Sequence, residues 1–322
     1  MIVENKEAKE ITYHIERIRS FKPTFGTHYD VLKDQVDEYR KYYNLHIPKC
    51  DYDYGYIHAI EEQLFVQRFR PAKKIGTVLL LHGYYDHAGS LSHTIHYLTQ
   101  HGYEVVCFDL IGHGLSSGER ATIQSFSQYV NSLAVVRKEI IGDQTEPVHF
   151  VGHSTGAMIG LEYTQNHSNA FDKMVFIAPL YRPHLWPISG LALKIGKSYM
   201  RSIKRIFKRN SSDQSYLSFT KSDPLQEKIV PIQWLCALDE VIRQQKKQGV
   251  SSLSFLMIQG EQDKTVDRAY GLEFAMRLYP DSSFILMKDG RHQLLNEEPI
   301  VRGQTLSIII KYLNSGTRID HL

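Results

Sequence analysis

At 322 residues the chain is long enough for one large core with appendages. An apolar fraction of 42% and a charged fraction of 23% are those of an ordinary globular protein. The net charge of +3 is too small to argue for nucleic acid as a partner.

The chain begins with Glu4, Lys6, Glu7 and Lys9 where a secretory leader would carry an apolar core. Residues 1–52 are polar and read as an N-terminal helical extension, with a helix expected over about 29–43. Residues 54–60 and 63–69 form a leading hairpin, with Glu61 and Glu62 near its turn. Further strands are expected at 77–81, 104–110, 148–151, 174–178, 253–258 and 283–287. Their runs are apolar at successive positions, as in parallel strands buried on both faces. Residues 125–141, 155–166 and 268–278 carry helical spacing between them. This alternation predicts an α/β architecture, a mostly parallel central sheet with helices on both faces.

The expected core falls into two parts, 53–180 and 245–322, divided by a cap insertion at 181–244 after the sixth strand. An insertion at the carboxyl end of a strand lies over the place where open α/β sheets bind ligands. No apolar run approaches the roughly 18 residues of a membrane span. Three cysteines, Cys50, Cys107 and Cys236, are too few and too far apart for a disulfide framework or a zinc pattern. A reducing compartment, the cytoplasm, fits these features.

The chemistry concentrates at strand ends. Gly152-His153-Ser154-Thr155-Gly156 follows one strand and opens a helix, the context in which G-x-S-x-G exposes a nucleophilic serine on a sharp turn. A serine hydroxyl needs a base, and the base needs an orienting acid. Asp263 and His292 lie in loops after the next two strands, giving the chain order Ser, Asp, His. Glu261, Asp267 and Asp289 compete for the acid's role. Asp263 is preferred because it follows its strand closely and precedes a turn, whereas Asp267 reads as a helix cap. Backbone amides should form an oxyanion hole. Thr155 supplies one candidate and Tyr84, in the turn His82-Gly83-Tyr84-Tyr85-Asp86-His87, the other.

Several segments together resemble the monoacylglycerol lipase and lysophospholipase branch of the α/β-hydrolases. They are His82-Gly83 with Asp86-His87, Phe108-Asp109-Leu110-Ile111-Gly112-His113-Gly114-Leu115-Ser116, Ser117-Gly118-Glu119-Arg120, the serine motif, Ser222-Asp223-Pro224, and His292-Gln293-Leu294-Leu295-Asn296-Glu297. The likeness spans about residues 53–315. It implies the α/β-hydrolase fold and hydrolysis of a fatty-acyl ester of a monoacylglycerol or lysophospholipid. Ser154 would be the nucleophile, His292 the base and Asp263 its orienting acid, with no metal or organic cofactor. Thr155 stands where the branch most often has methionine, a change that spares a backbone donor but alters the acyl pocket. The same triad would equally serve a carboxylesterase, a thioesterase or a peptidase. A non-catalytic scaffold would require a lost triad member, and none is lost.

Within the cap, Ala192, Ile195, Tyr199, Ile203 and Ile206 recur at helical spacing. Lys194, Lys197, Arg201, Lys204 and Lys208 recur on another face. This predicts one amphipathic helix over 191–209, with a basic face suited to anionic membrane.

Overall fold

A computed structural model of the protein describes residues 2–315. Met1, in the expected N-terminal extension, lies outside the described residues, as do 316–322 at the end of the expected second core segment.

The chain opens with two helices, α1 (Ile2–Phe21) and α2 (Lys33–Tyr42). The hairpin follows as β1 (Cys50–Ala59) and β2 (Glu62–Pro71), then β3 (Gly76–Leu81), α3 (Ser92–Gln100) and β4 (Tyr103–Phe108). Next come α4 (Phe126–Val136), β5 (Val148–His153), α5 (Thr155–Asn166) and β6 (Lys173–Ile177). The insertion contains α6 (Trp186–Gly196), β7 (Ser202–Lys204), α7 (Gln214–Ser222), β8 (Ile229–Pro231) and α8 (Ile232–Gln245). The chain returns through β9 (Leu256–Gly260), α9 (Arg268–Leu278), β10 (Ser283–Met287) and α10 (Pro299–Asn314).

Eight strands form one sheet in the order β1-β2-β4-β3-β5-β6-β9-β10. Only the pairings β1–β2 and β2–β4 are antiparallel; the other five are parallel. Alternate side chains of β3 enter different cores: Leu79 and Leu81 join one with α4, α5, α8 and α9, while Val78 and Leu80 join the other. A strand buried on both faces has no polar face to show, which is why the sequence reads as a continuous apolar run.

The first fifty residues depart from the expectation of a polar extension. Ile11, Ile15 and Ile18 of α1, with Val36, Tyr39, Tyr43, Leu45 and Ile47, are buried in the second core. Their spacing of three and four residues makes a narrow apolar stripe, and the charges between them hide it from composition. Residues 23–26 also hydrogen-bond along the edge of β1 (Phe25 N–H to Tyr56 O 3.2 Å, Tyr56 N–H to Pro23 O 2.7 Å), covering an otherwise open sheet edge.

The cap corrects a second expectation. No helix spans 191–209: α6 stops at Gly196, and β7 pairs antiparallel with β8 as a separate two-stranded ribbon. Lys194 alone of the five basic positions lies in the helix. Lys197 follows its end, Arg201 and Lys204 flank or end β7, and Lys208 lies in irregular chain. The physical reason is local. Gly196 and Ser198 weaken helix continuation, and β-branched Ile203 finds a partner in Val230. Of the positions expected to form the helix's apolar face, Ile195, Tyr199 and Ile206 are each more than two-thirds exposed. Among the described residues no helix is long and apolar enough to cross a membrane.

Candidate active site

The carboxyl ends of β3, β5, β9 and β10 converge, and each contributes a loop to one buried cluster. At the end of β5, Ser154 has φ 53° and ψ −113°, a strained conformation for a residue with a side chain. The flanking glycines allow it. A Cβ on Gly152 would lie 2.7 Å from the Ala157 nitrogen, and one on Gly156 2.5 Å from the carbonyl oxygens of Leu81 and His82.

The Ser154 hydroxyl lies 3.0 Å from His292 Nε2, and His292 Nδ1 lies 2.8 Å from Asp263 Oδ2. All three residues are buried. Asp263 is also held by its own turn: Oδ1 accepts the Thr265 and Val266 amides at 2.7 and 3.1 Å, and Oδ2 accepts from Gln259 Nε2 at 3.0 Å. Burial alone would raise the Asp263 pKa, but the His292 imidazole and the two amides outweigh it and leave it lowered. The competing acids are elsewhere: Asp267 caps α9 and pairs with Arg182 at 2.6 Å, and Glu261 is exposed.

The backbone amides of Tyr84 and Thr155 donate to no acceptor among the described residues. Thr155 is the first residue of α5, where amides are free by construction and carry the helix's partial positive charge. The side chain of Tyr84 stacks on Trp234 of the cap, ring centres 3.6 Å apart, and its hydroxyl donates to the Ala121 carbonyl at 2.7 Å. The cap therefore bears directly on this turn. Tyr181, by contrast, packs against Phe274 in the core.

Sequence reasoning missed the residues that hold these loops together. His153 Nε2 donates to the His292 carbonyl at 3.0 Å; burial and the neighbouring His292 push its pKa down to about 4, so it is neutral at pH 7. Gln293 donates to Asp86 Oδ2 at 3.0 Å, linking the histidine loop to the turn after β3. Asp109 accepts the amides of Ala88 and Leu115, both at 2.7 Å. Glu297 accepts the Arg291 amide at 2.8 Å and the Ser212 amide at 2.6 Å, fastening the histidine loop to the cap. Asp86, Asp109, Gln293 and Glu297 all stood in the motifs that carried the resemblance. Their signal was present, but not their roles. The five basic cap residues are exposed and lie apart from this cluster in the chain, without a carboxylate partner among the described residues.

The profile of the serine aminopeptidase S33 family (Hydrolase_4) matches residues 72–299, well over half of the chain. The chain belongs to this family. A monoglyceride lipase of Rattus norvegicus is 26% identical over 75% of this chain and 83% of its own length. A probable lysophospholipase L2 of Haemophilus influenzae is 22% identical over 81% and 88%. A shorter match, 30% identical over 42% of this chain, spans only 14% of an uncharacterized abhydrolase domain-containing protein of Dictyostelium discoideum. Among solved structures, a soluble variant of the Saccharomyces cerevisiae monoglyceride lipase superposes with a TM-score of 0.71 at 20% identity, covering 80% of this chain and 94% of that one. The α/β-hydrolase fold and the branch read from the motifs both stand.

Proposed function

We propose that the protein is a serine esterase that hydrolyses the fatty-acyl ester of a monoacylglycerol or a lysophospholipid. The observation that carries this reading is the hydrogen-bonded relay from Ser154 through His292 to Asp263 beneath a cap. The relatives named as monoglyceride lipase and lysophospholipase favour glycerolipid substrates over other acyl compounds.

Ser154 Oγ attacks the ester carbonyl as its proton passes to His292 Nε2, and Asp263 stabilises the resulting imidazolium. The Tyr84 and Thr155 amides hold the oxyanion of the tetrahedral intermediate. Collapse expels the glycerol-bearing alcohol, which takes the proton from His292, and leaves an acyl-enzyme. Water, deprotonated by His292, then releases the fatty acid and restores Ser154.

The cap surface supports a peripheral contact with anionic membrane. Ile188, Leu191 and Ile195 are exposed on α6, while exposed Lys194 lies on the same helix and exposed Lys197, Arg201, Lys204 and Lys208 follow it in the chain. Apolar side chains would enter the interface as the cations meet lipid charge, at about 1 kcal/mol each near the surface. A cytoplasmic site of action belongs to the same proposal and accords with three free cysteines.

The test is fatty-acid release from monoacylglycerols, lysophospholipids and diacyl phospholipids, with thioester and peptide controls, comparing wild type with Ser154→Ala. Release from monoacyl lipids by wild type alone supports the reading. Cleavage confined to thioesters or peptides replaces the substrate class. Equal release by both proteins removes Ser154 from the mechanism.

A further inference from the structure

Arg205 follows β7, and its amide donates to the Lys228 carbonyl at 2.9 Å, which fixes it against the returning strand of the ribbon. Its guanidinium carbon lies 3.9 Å from the centre of the Tyr85 ring and 4.3 Å from that of Phe207. Nη1 donates to Gln226 Oε1 at 2.8 Å and to the Glu227 carbonyl at 3.0 Å. Nε and Nη2 meet no acceptor among the described residues, and neither is sealed from solvent.

The surrounding acids are engaged elsewhere. Glu227 pairs with Arg120 at 2.7 Å, and Asp86 accepts from Gln293. Among the described residues no carboxylate lies within salt-bridge distance of Arg205, although burial disfavours its charge and lowers its pKa. A half-buried guanidinium with two open donors, on which Asp86 acts only from beyond contact, is incomplete, and a planar fork of this kind suits the oxygens of a phosphate.

Its position says which phosphate. Tyr85 directly follows Tyr84, whose amide is the candidate oxyanion donor, so the guanidinium packs on the same turn that carries that donor. In a monoacyl glycerophospholipid the phosphate is attached through the same glycerol that carries the scissile ester.

We propose that Arg205 is the specificity residue of this site, binding the phosphate of a lysophospholipid and favouring that substrate over an uncharged monoacylglycerol. This rests on the esterase reading above and narrows it.

The experiment compares wild type, Arg205→Met and Arg205→Lys on 1-oleoyl lysophosphatidylglycerol and 1-oleoylglycerol. In parallel, glycerol 3-phosphate and inorganic phosphate are tested as inhibitors of nitrophenyl butyrate hydrolysis. Losing charged hydrogen bonds should lower the ratio of kcat/KM for the lysophospholipid over the monoacylglycerol by about 10- to 100-fold in Arg205→Met. Arg205→Lys should fall between, since it keeps the charge but loses the fork. Inhibition by glycerol 3-phosphate should weaken in the same order. An unchanged ratio overturns the proposal, including the case where both substrates decline together because the arginine is only a brace. Inorganic phosphate inhibiting as strongly as glycerol 3-phosphate overturns the lipid headgroup in favour of a free anion. If wild type cleaves neither lipid while a fluorophosphonate still labels Ser154, the esterase substrate class has failed, and the inhibition arm shows separately whether Arg205 binds a phosphate.

Discussion

Tyr43→Phe should destabilise the protein measurably although it removes a single oxygen. Tyr43, just past α2, donates its hydroxyl to Asp223 Oδ1 at 2.7 Å, and both residues are buried. Asp223 ends the middle cap helix α7 and also accepts from His87 at 2.8 Å and from the Leu225 amide at 2.9 Å. Three distant stretches of chain therefore meet on one carboxylate. The substitution leaves the ring and its packing in place and takes away one donor to a charged, desolvated group, a loss of about 1.5–3 kcal/mol. An unfolding entropy of about 2.1 cal/mol/K per residue makes each kcal/mol worth about 1.5 °C in a chain of this size. The thermal midpoint should thus fall by about 2–4 °C, read by circular dichroism and by urea titration at pH 7. A midpoint within half a degree of wild type would refute the idea that the N-terminal helices are bonded into the same cooperative body as the cap.

Further outcomes follow from the same geometry. Asp263→Asn should lower kcat on a nitrophenyl ester by about 10³- to 10⁴-fold with KM little changed, because the imidazole loses its tautomeric partner; a loss under tenfold would point to another acid. Gly156→Ala places a methyl 2.5 Å from two carbonyl oxygens, so the elbow must shift, with overpacking of about 1–3 kcal/mol and activity reduced by at least tenfold; a crystal structure of an active, undisplaced variant would contradict this. His87 is buried: desolvation lowers its pKa, but Asp223 more than reverses that and leaves it raised. Its ion pair therefore contributes fully below the unfolded value of about 6.5 and is lost as pH rises through the raised folded value. The stability gap between wild type and His87→Gln should accordingly narrow from pH 6 toward alkaline pH, and a gap that widens would reverse the assignment. Replacing Ile188, Leu191 and Ile195 together by serine should weaken co-sedimentation with anionic vesicles by at least tenfold, whereas unchanged sedimentation would move the contact off α6.

The sheet was legible because its signal is coarse and repeated. Each central strand is an apolar run with no polar face, and residues 283–287 and 155–166 form their elements with the boundaries read from pattern. The geometry around Ser154, Asp263 and His292 was legible for a related reason: each follows a strand, and parallel strands deliver their carboxyl ends to one edge. The cap was not legible. Its apolar and basic residues keep a helical period through 191–209, yet strand pairing between Ile203 and Val230 is a long-range choice that no local period encodes. The same holds for α1, whose Ile11, Ile15 and Ile18 stripe gains meaning only against a partner face. His153, Asp86 and Gln293 were visible as residues but silent as partners, since hydrogen bonds across loops are a property of the assembled chain.

After residue 209 the cap is fastened, among other places, at Ser212 by Glu297, at Asp223 by His87 and Tyr43, and at Trp234 by stacking on Tyr84. Before it, Arg182 pairs with Asp267, Trp186 and Leu193 of α6 are buried in the first core, and Arg205 stacks on Tyr85. Between Leu193 and Arg205, residues 194–200, exposed but for half-buried Gly196, can be exchanged for another sequence without disturbing these attachments. Variation there would change the face the cap offers to solvent while Ser154, His292 and Asp263 stay as they are, so that outer surface and the buried relay can diverge independently.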